Sequence, residues 1–440
     1  MAALLEKINL TLTTYYKAFQ FIKRQDDPGQ IAEVQGKKLH KLMSYCYENI
    51  KYYRELFDLA GIKPRHIRTV KDMCRIPLLT KKDLRERFWD FLPKELPPCR
   101  VSRTSGSTGV PVCILSDRSS RLFNSASVIR CRKALGIPVV GGVILTPLKT
   151  ENDPEKEAHW TFLQGVHRTY YINPYIYNSE YEKIQLKKLR RPVLIGITPA
   201  IRALAYKICD GLLPRLKPKA VLTTGEYLSQ EVRDLLESTF GTKVSDIYAC
   251  NEAGDIAWQC KKGQLYHINA DNCIVEILKD GKCVEKGQTG EVAITNLNRY
   301  SMPIIRYKNG DLAKLGTEDC SCGCRLPIIS EIIGRTGEDI FLPDGEIVPW
   351  NQLKGFMNHP GIRQFQLIQN KDHSLVIKFI AEKNSDIEQI EKLLTYRFST
   401  AIGTSIRIKF FVVDTIPPSA SGKSKLVISN IRPNSRSIIF

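Results

Sequence analysis

The chain has 440 residues and a formal net charge of +19, and 43% of its residues are hydrophobic. That length exceeds one ordinary core, so we expect two domains. The basic residues are scattered in pairs rather than blocks, which argues against a nucleic-acid partner. No run reaches the roughly 18 apolar residues of a membrane span, and Glu6 interrupts the short apolar N-terminus. We therefore expect a cytoplasmic protein that is not an integral membrane protein.

The first 95 residues are predicted to be mainly helical. Apolar residues recur at helical spacing over 40–50. Thr80, with Asp83 three residues on, predicts the start of another helix.

Between residues 100 and 250, β-branched runs alternate with helical patterns. The strand-like runs are at 139–145 and 193–197, and the helical patterns are at 180–188 and 229–240. Such alternation predicts parallel β-α-β units.

The predicted secondary structure of the remaining chain falls into two parts. Residues 263–315 resemble β-hairpins, with a turn at 279–282. From about 335 a small α+β unit is predicted, with strands at 364–369, 374–381 and 406–413 and a helix at 386–399. The predicted fold is therefore α/β, with a large multi-layer domain over 1–334 and a small α+β domain over 335–440.

The segment 104–111 alternates small hydroxyl residues with glycines and leads into a β-prone run. A loop of this composition brings backbone N–H groups and hydroxyls close to phosphate oxygens, because no bulky side chain blocks the approach. A flexible serine/glycine linker has the same composition. Taken alone, the segment fits both interpretations.

Five further motifs follow this loop in a fixed order, at 223–226, 248–254, 302–311, 334–339 and 418–423. The order resembles that of the adenylate-forming superfamily of acyl-CoA ligases and adenylation domains. Three more segments look like the phenylacetate–CoA ligase-like family, namely 45–54, 77–81 and 320–323. The segments 363–369 and 421–429 are similar to its capsular-polysaccharide-associated, CapK-like branch.

The resemblance implies an AMP-forming carboxylate ligase with a mobile C-terminal domain. Lys423 would lie between the substrate carboxylate and the α-phosphate of ATP, and Thr108 and Glu252 would hold Mg²⁺. The resemblance implies that pyrophosphate is bound by Ser105, Gly106, Ser107, Thr108 and Gly109. Gly225 and Glu226 would lie beside adenine, and Tyr248 would stack on the base. The other implied ATP-binding residues are Asn251, Asp311 on the ribose hydroxyls, and Arg335 at the hinge.

Simpler roles remain open for several of these residues. Asp311 also fits a turn after Asn309 and Gly310, Tyr248 fits core packing, and Glu252 and Arg335 fit solvated charges. Asn251 stands where the family usually has threonine or serine.

Two further features of the sequence concern the C-terminal domain. Glu338 and Asp339 compete for the hinge position. The segment 422–424 mimics the end of a Walker loop, but Pro417 stands where that loop requires glycine.

Three cysteines and a histidine form a candidate zinc set. Cys260, His267, Cys320 and Cys322 supply the donor types of a closed tetrahedral site, although Cys-x-Cys is tighter than the usual spacing. The family shows a similar arrangement. Cys324 is an alternative ligand, and four reduced groups without metal are the simpler interpretation. The other cysteines are expected to stay reduced, most of them as small core residues.

The activity implied by the resemblance has two half-reactions. ATP adenylates a carboxylic acid, and the acyl group then passes to coenzyme A. An alternative is an enzyme of surface-polysaccharide synthesis that passes the acyl group to a sugar or carrier protein. The sequence leaves a homodimer open, and it does not identify the acid. A binding protein for nucleic acid or anionic membranes on a degenerate scaffold is the rival from another class.

Overall fold

A computed structural model describes residues 2–103, 112–147, 159–161, 166–172, 174, 186–262, 265–317, 319–335, 339–357, 359–403, 406–417 and 426–431. The chain forms two compact units, Met1–Ile332 and Ile333–Phe440. None of the helices in these ranges combines the length and apolar composition that a bilayer span requires.

The helices of the first unit are α1 (Ala2–Arg24), α2 (Pro28–Asn49), α3 (Lys51–Leu59), α4 (Lys81–Glu86), α5 (Arg118–Ala134), α6 (Thr198–Cys209) and α7 (Gln230–Phe240). Those of the second are α8 (Trp350–Leu353) and α9 (Ile387–Ile402). Short stretches of 3-10 helix lie at Pro64–His66, Val70–Arg75, Phe88–Phe91 and Lys354–Met357.

The strands that begin in the first unit are β1 (Arg100–Arg103), β2 (Cys113–Ser116), β3 (Val140–Pro147), β4 (His159–Thr161), β5 (Val166–Ile172), β6 (Val193–Ile197), β7 (Ala220–Thr224), β8 (Val244–Cys250), β9 (Gly254–Gln259), β10 (Tyr266–Ile268), β11 (Cys273–Lys279), β12 (Lys282–Cys283), β13 (Thr289–Asn296), β14 (Tyr307–Leu315) and β15 (Ile328–Arg335). The remaining strands are β16 (Asp339–Phe341), β17 (Ile347–Pro349), β18 (Ile362–Gln369), β19 (Leu375–Ala381), β20 (Ile408–Val412) and β21 (Val427–Ser429).

One thirteen-stranded sheet organises the large unit, in the order β12-β11-β13-β14-β15-β10-β9-β8-β7-β6-β3-β5-β4. Strands β6, β7 and β8 pair in parallel and are joined by α6 and α7. This confirms the predicted parallel β-α-β units. The helix predicted over 180–188 falls mainly outside the described residues.

The other half of this sheet is antiparallel. Strands β11 and β12 meet at the predicted turn, where Lys279 faces Lys282. Asp280 and Gly281 both have positive φ, +52° and +76°. A two-residue turn of this kind matches the twist of the strands it connects, so the predicted hairpin is confirmed.

The N-terminal helical region contacts the large sheet where β14 begins, within the motif at 302–311. Thr80 begins α4 as predicted, because its hydroxyl accepts from the Asp83 amide while the Asp83 carboxylate accepts from the Thr80 amide at 2.9 Å. Just before it, the Leu79 amide donates to the Arg306 carbonyl at 3.0 Å, and the Lys308 amide donates to the Leu79 carbonyl at 2.9 Å. These bonds fix the start of β14.

The second unit has its own core beneath a four-stranded sheet of order β20-β19-β18-β21. Asp386 caps the predicted helix, accepting from the Gln389 amide at 3.0 Å, and α9 runs on to Ile402. Strand β21 was not predicted. It is only three residues long and is formed by parallel pairing with β18, a tertiary contact that local sequence does not encode.

Candidate functional site

Two of the sequence motifs follow neighbouring parallel strands. Strand β7 leads into Gly225 and Glu226, and β8 leads into the turn that carries Asn251 and Glu252. The carboxyl ends of parallel strands meet at one edge of a sheet, where α/β proteins place their ligands. The Thr198 hydroxyl at the start of α6 donates to the Glu226 carbonyl at 3.4 Å and so ties the first loop to that helix.

Tyr248 and Asp311 meet although 63 residues separate them. The Tyr248 hydroxyl donates to Asp311 Oδ2 at 2.7 Å. Burial, with the Asp311 carboxylate beside it, raises the pKa of Tyr248 well above its usual value. The phenol therefore stays protonated and remains a hydrogen-bond donor at neutral pH.

Asn309 joins this pair. Its Nδ2 donates to the Tyr248 hydroxyl at 2.7 Å and to Asp311 Oδ2 at 2.6 Å, and its Oδ1 accepts from the Asp311 amide at 3.1 Å. Asn309 and Asp311 lie in a bulge of β14 rather than in the turn that the sequence left open, whereas Tyr248 lies on β8. Gly310 in that bulge has φ +82°. No role was predicted for Asn309, although its i, i+2 spacing from Asp311 on a strand was an available signal.

Glu252 lies beside a second tyrosine. The Tyr307 hydroxyl donates to Glu252 Oε1 at 3.0 Å, and only 8% of Glu252 is exposed. A buried carboxylate is not the solvated surface charge that the sequence also allowed. Tyr307 belongs to a motif that the sequence singled out, but its contact with Glu252 was not foreseen.

Hydrogen bonds from two neighbouring side chains hold the backbone of the turn after β8. Both terminal nitrogens of Arg299 donate to the Asn251 carbonyl at 3.3 Å, and Asn296 Nδ2 donates to the Ala253 carbonyl at 2.8 Å. These contacts hold the backbone on either side of Glu252, while Asn251 itself is exposed. The turn that presents Glu252 is therefore fixed by the chain itself.

Several predicted site residues fall outside the described part of the chain, namely Ser105, Gly106, Ser107, Thr108, Gly109, Glu338 and Lys423. Strands β1 and β2 on either side of 104–111 pair as an antiparallel hairpin, with Arg103 opposite Cys113. In the second unit, Arg335 ends β15 and Asp339 begins β16. The roles proposed for all these residues remain predictions.

The side chains of three cysteines and one histidine converge at another place in the large unit. The donor atoms of Cys260, His267, Cys320 and Cys322 all lie within 4.8 Å of one another. The Cys260 and Cys320 sulfurs are 3.5 Å apart, and Cys322 Sγ is 3.4 Å from His267 Nε2. Tetrahedral zinc would separate two sulfurs by about 3.8 Å and a sulfur and a nitrogen by about 3.6 Å.

The surroundings of this cluster suit a closed metal site. Cys260, His267 and Cys320 are buried, and Cys322 is the most exposed of the four. Burial, with help from Arg130, lowers the pKa of His267 to about 4. The imidazole is therefore neutral and offers a lone pair. Cys324 is not in the group; its backbone amide donates to Cys322 Sγ at 3.4 Å.

The two carboxylates that are hydrogen-bonded by tyrosines can do different chemistry. Glu252 offers hard oxygen ligands of the kind that Mg²⁺ prefers. Asp311 is an acceptor that suits neutral hydroxyl donors, and Tyr248 and Asn309 already direct two hydrogens at one of its oxygens.

The chain is similar to proteins of known families. The family model of the CapK C-terminal domain matches residues 340–430. Protein CapK of Staphylococcus aureus is 24% identical over 435 residues, which cover 94% of this chain and 92% of CapK. Phenylacetate-coenzyme A ligase of Thermus thermophilus is 23% identical over 436 residues, which cover 91% of this chain and 96% of the ligase.

Solved structures share the fold. The crystal structure of 2-hydroxyisobutyryl-CoA ligase in its postadenylation state superposes with a TM-score of 0.74 at 19% identity, covering 93% of this chain and 92% of the ligase. The same ligase with 2-HIB-AMP and CoA in the thioesterification state gives a TM-score of 0.61 at 18% identity, over 93% and 92% of the two chains. The match to the CapK C-terminal domain, the similarity to CapK and to phenylacetate-coenzyme A ligase over most of the chain, and the fold shared with 2-hydroxyisobutyryl-CoA ligase all agree with the resemblance that the sequence motifs carry.

Proposed function

We propose that the protein is an AMP-forming acid–thiol ligase, which adenylates a carboxylic acid with ATP and transfers the acyl group to coenzyme A. The observation that carries this proposal is the placing of Asp311 and Glu252, each hydrogen-bonded by a tyrosine, in motifs that converge at the large sheet. The names of the relatives, phenylacetate-coenzyme A ligases among them, support the reaction class.

In the first half-reaction the substrate carboxylate attacks the α-phosphate, an acyl-adenylate forms, and pyrophosphate leaves. Asp311 accepts hydrogen bonds from the ribose, Tyr248 stacks on adenine, and Gly225, Glu226 and Asn251 flank the nucleotide. The residues 105–109 hold the departing pyrophosphate. Glu252 and Thr108 would hold Mg²⁺, which supplies positive charge against the phosphate oxygens.

The second unit supplies the remaining groups. Lys423 would lie between the substrate carboxylate and the α-phosphate, where its ammonium group would stabilise the charge that develops there. Arg335 contacts the nucleotide, and the hinge lies at Glu338 or Asp339. In the second half-reaction a thiolate attacks the acyl carbonyl and AMP leaves. A hinge is required because one face of the pocket serves two reactions in turn.

Two kinds of acyl acceptor are compatible with this chemistry. 2-Hydroxyisobutyryl-CoA ligase, which shares this fold, has been crystallised with 2-HIB-AMP and CoA together, which favours CoA. The similarity to CapK favours a second candidate, an adenylating enzyme of surface-polysaccharide synthesis with a sugar or carrier protein as acceptor. ATP and CoA are both cytoplasmic metabolites, which agrees with a cytoplasmic location.

We also propose that Cys260, His267, Cys320 and Cys322 bind one structural zinc ion. Four protein ligands leave no open coordination position, so the ion would stabilise the fold and take no part in the reaction. The distances within the cluster, close to those of a tetrahedral site, support this assignment.

ATP–pyrophosphate exchange tests the proposed reaction directly. The purified full-length chain is assayed with ATP, Mg²⁺ and a panel of aryl, fatty, hydroxy and amino acids. Exchange that depends on one class of acid supports the proposal and identifies the substrate class. Absence of exchange with every acid, from protein that does not bind ATP, would contradict it.

Product analysis with and without CoA then separates the two acceptors. A thioester that accumulates only with CoA supports the ligase. An acyl-adenylate that CoA does not consume, but that a sugar amine or carrier protein does, favours the polysaccharide candidate.

A further inference from the structure

The Asp311 carboxylate is oriented by its neighbours before any nucleotide binds. Its Oδ2 accepts from the Tyr248 hydroxyl at 2.7 Å and from Asn309 Nδ2 at 2.6 Å. Two donors on one oxygen fix the rotation of the carboxylate group, which determines where its other oxygen points. Hydrogen bonds to charged acceptors are among the stronger ones in proteins.

Asn309 is itself fixed at both ends of its amide. Its Oδ1 accepts from the Asp311 backbone amide at 3.1 Å, which settles which end of the side chain is the carbonyl and which is the amino group. The amino group then donates to the Tyr248 hydroxyl and to the Asp311 carboxylate. Asn309 is 7% exposed and Tyr248 is 8% exposed, so water competes little for these bonds.

The backbone enforces this arrangement. Strand β14 pairs with β13 on both sides of an irregularity. Lys308 faces Ala293 before it and Leu312 faces Glu291 after it, so an advance of four residues along β14 corresponds to only two residues along β13. The extra residues form a bulge whose centre is Gly310, with φ +82°. Bulges redirect side chains locally, and this one holds Asn309 and Asp311 together.

We propose that Asn309 is a positioning residue for sugar recognition. By fixing the Asp311 carboxylate together with the Tyr248 hydroxyl, it allows the site to distinguish a ribonucleotide from a nucleotide that lacks the ribose hydroxyls. This inference rests on the proposed function, because it requires the ribose of ATP to contact Asp311. Asn309 does not touch the nucleotide; it acts through Asp311.

The physical reason is preorganisation. A carboxylate that rotates freely loses that freedom when a diol binds, and this loss reduces the affinity. Losing one hydrogen bond to a charged group costs about 1.5–3 kcal/mol, or roughly tenfold or more in an equilibrium constant. The loss appears only for ligands that use Asp311.

The test is equilibrium binding of ATP and of 2′,3′-dideoxyATP to the full-length protein by calorimetry. The variants are Asn309→Leu, which removes the amide, and Tyr248→Phe, which removes only the hydroxyl. Tyr53→Phe is the matched control, because the Tyr53 hydroxyl is also buried but donates to the Pro303 carbonyl at 3.0 Å rather than to Asp311. Thermal melts verify that each variant is folded.

We expect the wild-type protein and Tyr53→Phe to prefer ATP over the dideoxy analogue. In Asn309→Leu and Tyr248→Phe that preference should fall about tenfold, while affinity for the analogue changes less than about twofold. Equal losses for both nucleotides, or an unchanged preference in both variants, would overturn the positioning role while leaving the proposed function intact. Wild-type protein that binds no ATP would overturn the proposed function itself and the inference with it. If Asn309→Leu does not fold, Tyr248→Phe decides the question.

Discussion

At the scale of single residues, the site is built from tyrosine–carboxylate pairs. Tyr248 donates to Asp311 and Tyr307 donates to Glu252. Each phenol restricts the carboxylate it touches without neutralising its charge. The two tyrosines therefore control different ligands in the proposed reaction, the sugar in one case and the metal ion in the other.

Replacing Tyr307 by phenylalanine tests the second pair. The ring that packs in the core is kept, but the hydrogen bond to Glu252 is lost. We expect the Mg²⁺ concentration for half-maximal pyrophosphate exchange to rise about fivefold or more, in line with the loss of one hydrogen bond to a charged group. The rate should recover at saturating Mg²⁺.

Tyr248→Phe is the matched control for this experiment, because it removes the same hydroxyl from the other pair. Its Mg²⁺ requirement should stay within about twofold of the wild-type value, since the lost bond of about 1.5–3 kcal/mol is made to Asp311 rather than Glu252. A Tyr307→Phe enzyme with an unchanged Mg²⁺ titration would show that this hydrogen bond does not act on the metal.

Asp246 gives a prediction about pH and stability. It is buried beside the sheet centre, where the Thr223 hydroxyl donates to it at 2.6 Å and the Tyr266 hydroxyl at 2.9 Å. Burial outweighs these donors and raises the pKa of Asp246 to about 6. Between about pH 4 and pH 6 the folded protein therefore keeps a proton that the unfolded chain has lost.

The free energy of unfolding should consequently fall as pH rises through that window, by on the order of 2 kcal/mol from this group. Urea unfolding at pH 4.5, 5.5 and 7 measures it. Asp246→Asn removes the titrating group, so the difference between wild type and variant isolates its contribution. A difference that does not change between pH 4.5 and 7 would rule out the raised pKa.

At the scale of elements, the bulge in β14 links backbone geometry to the candidate nucleotide site. Gly310→Ala places a side chain at φ +82°, where L-residues are strained by about 1–2 kcal/mol. The strain is relieved by shifting the bulge, which displaces Asn309 and Asp311. We expect lower stability together with weaker ATP binding, measured by thermal melts and calorimetry.

Gly281→Ala is the matched control for the bulge. Gly281 has φ +76° in the β11–β12 turn, and nothing lies within 4 Å of an added Cβ. The two variants should lose similar stability, but only Gly310→Ala should lose ATP affinity. Equal ATP binding by both would mean that the bulge does not position the site.

The cysteine–histidine cluster joins elements that are far apart in the chain. Cys260 follows β9, His267 lies on β10, and Cys320 and Cys322 lie in the connection between β14 and β15. A metal ion held by these residues would close that connection onto the sheet. Binding energy of this kind is folding energy, because the unfolded chain has no preformed site.

Purified wild-type protein should contain about one zinc ion per chain, whereas Cys260→Ser should contain much less and melt at a lower temperature. Cys131→Ser is the control, since Cys131 is buried in the same core but is not in the cluster. It should keep its zinc. Metal-free wild-type protein with an unchanged melting temperature would refute the site.

The local elements were largely predictable from sequence. The capping box at Thr80, the strand over 193–197 and the turn at 279–282 depend on residues a few positions apart. The structure confirms all three. Strand β21 was missed because its pairing with β18 lies far along the chain.

At the scale of the whole molecule, the chain divides into two units with separate cores. Asp311, Tyr248 and Glu252 belong to the first unit, and Lys423 belongs to the second by its position in the sequence. The proposed reaction therefore needs residues from both units. Loss of Lys423 should affect chemistry rather than nucleotide binding.

Lys423→Ala should lower ATP–pyrophosphate exchange by about a hundredfold or more, because a positive charge at the reacting phosphate is removed. ATP affinity, measured by calorimetry, should change by less than about twofold, since this loss of about 3 kcal/mol concerns the transition state. Lys425→Ala removes the same charge two residues away and should retain exchange. Equal exchange by Lys423→Ala and wild type would contradict the catalytic assignment.

The sequence by itself determined the order of the motifs, the alternation of strands and helices, and the resemblance to the phenylacetate–CoA ligase-like family. These depend on residue types and on spacing over a few positions, which the chain carries wherever it folds. The motifs did not show which of their residues lie in the candidate site and which lie in the buried core. Arg306 and Asp311 are five residues apart in one motif, yet Arg306 is buried in an ion pair with Glu276 at 2.9 Å, while Asp311 joins Tyr248.

Only the tertiary structure decided which distant side chains meet. Tyr248 reaches Asp311 across 63 residues, and Cys260 reaches Cys320 across 60. Such contacts depend on strand order and register in the thirteen-stranded sheet, since a shift of one residue would turn each side chain to the other face. Local sequence fixes the strands, but their pairing is a property of the assembled sheet.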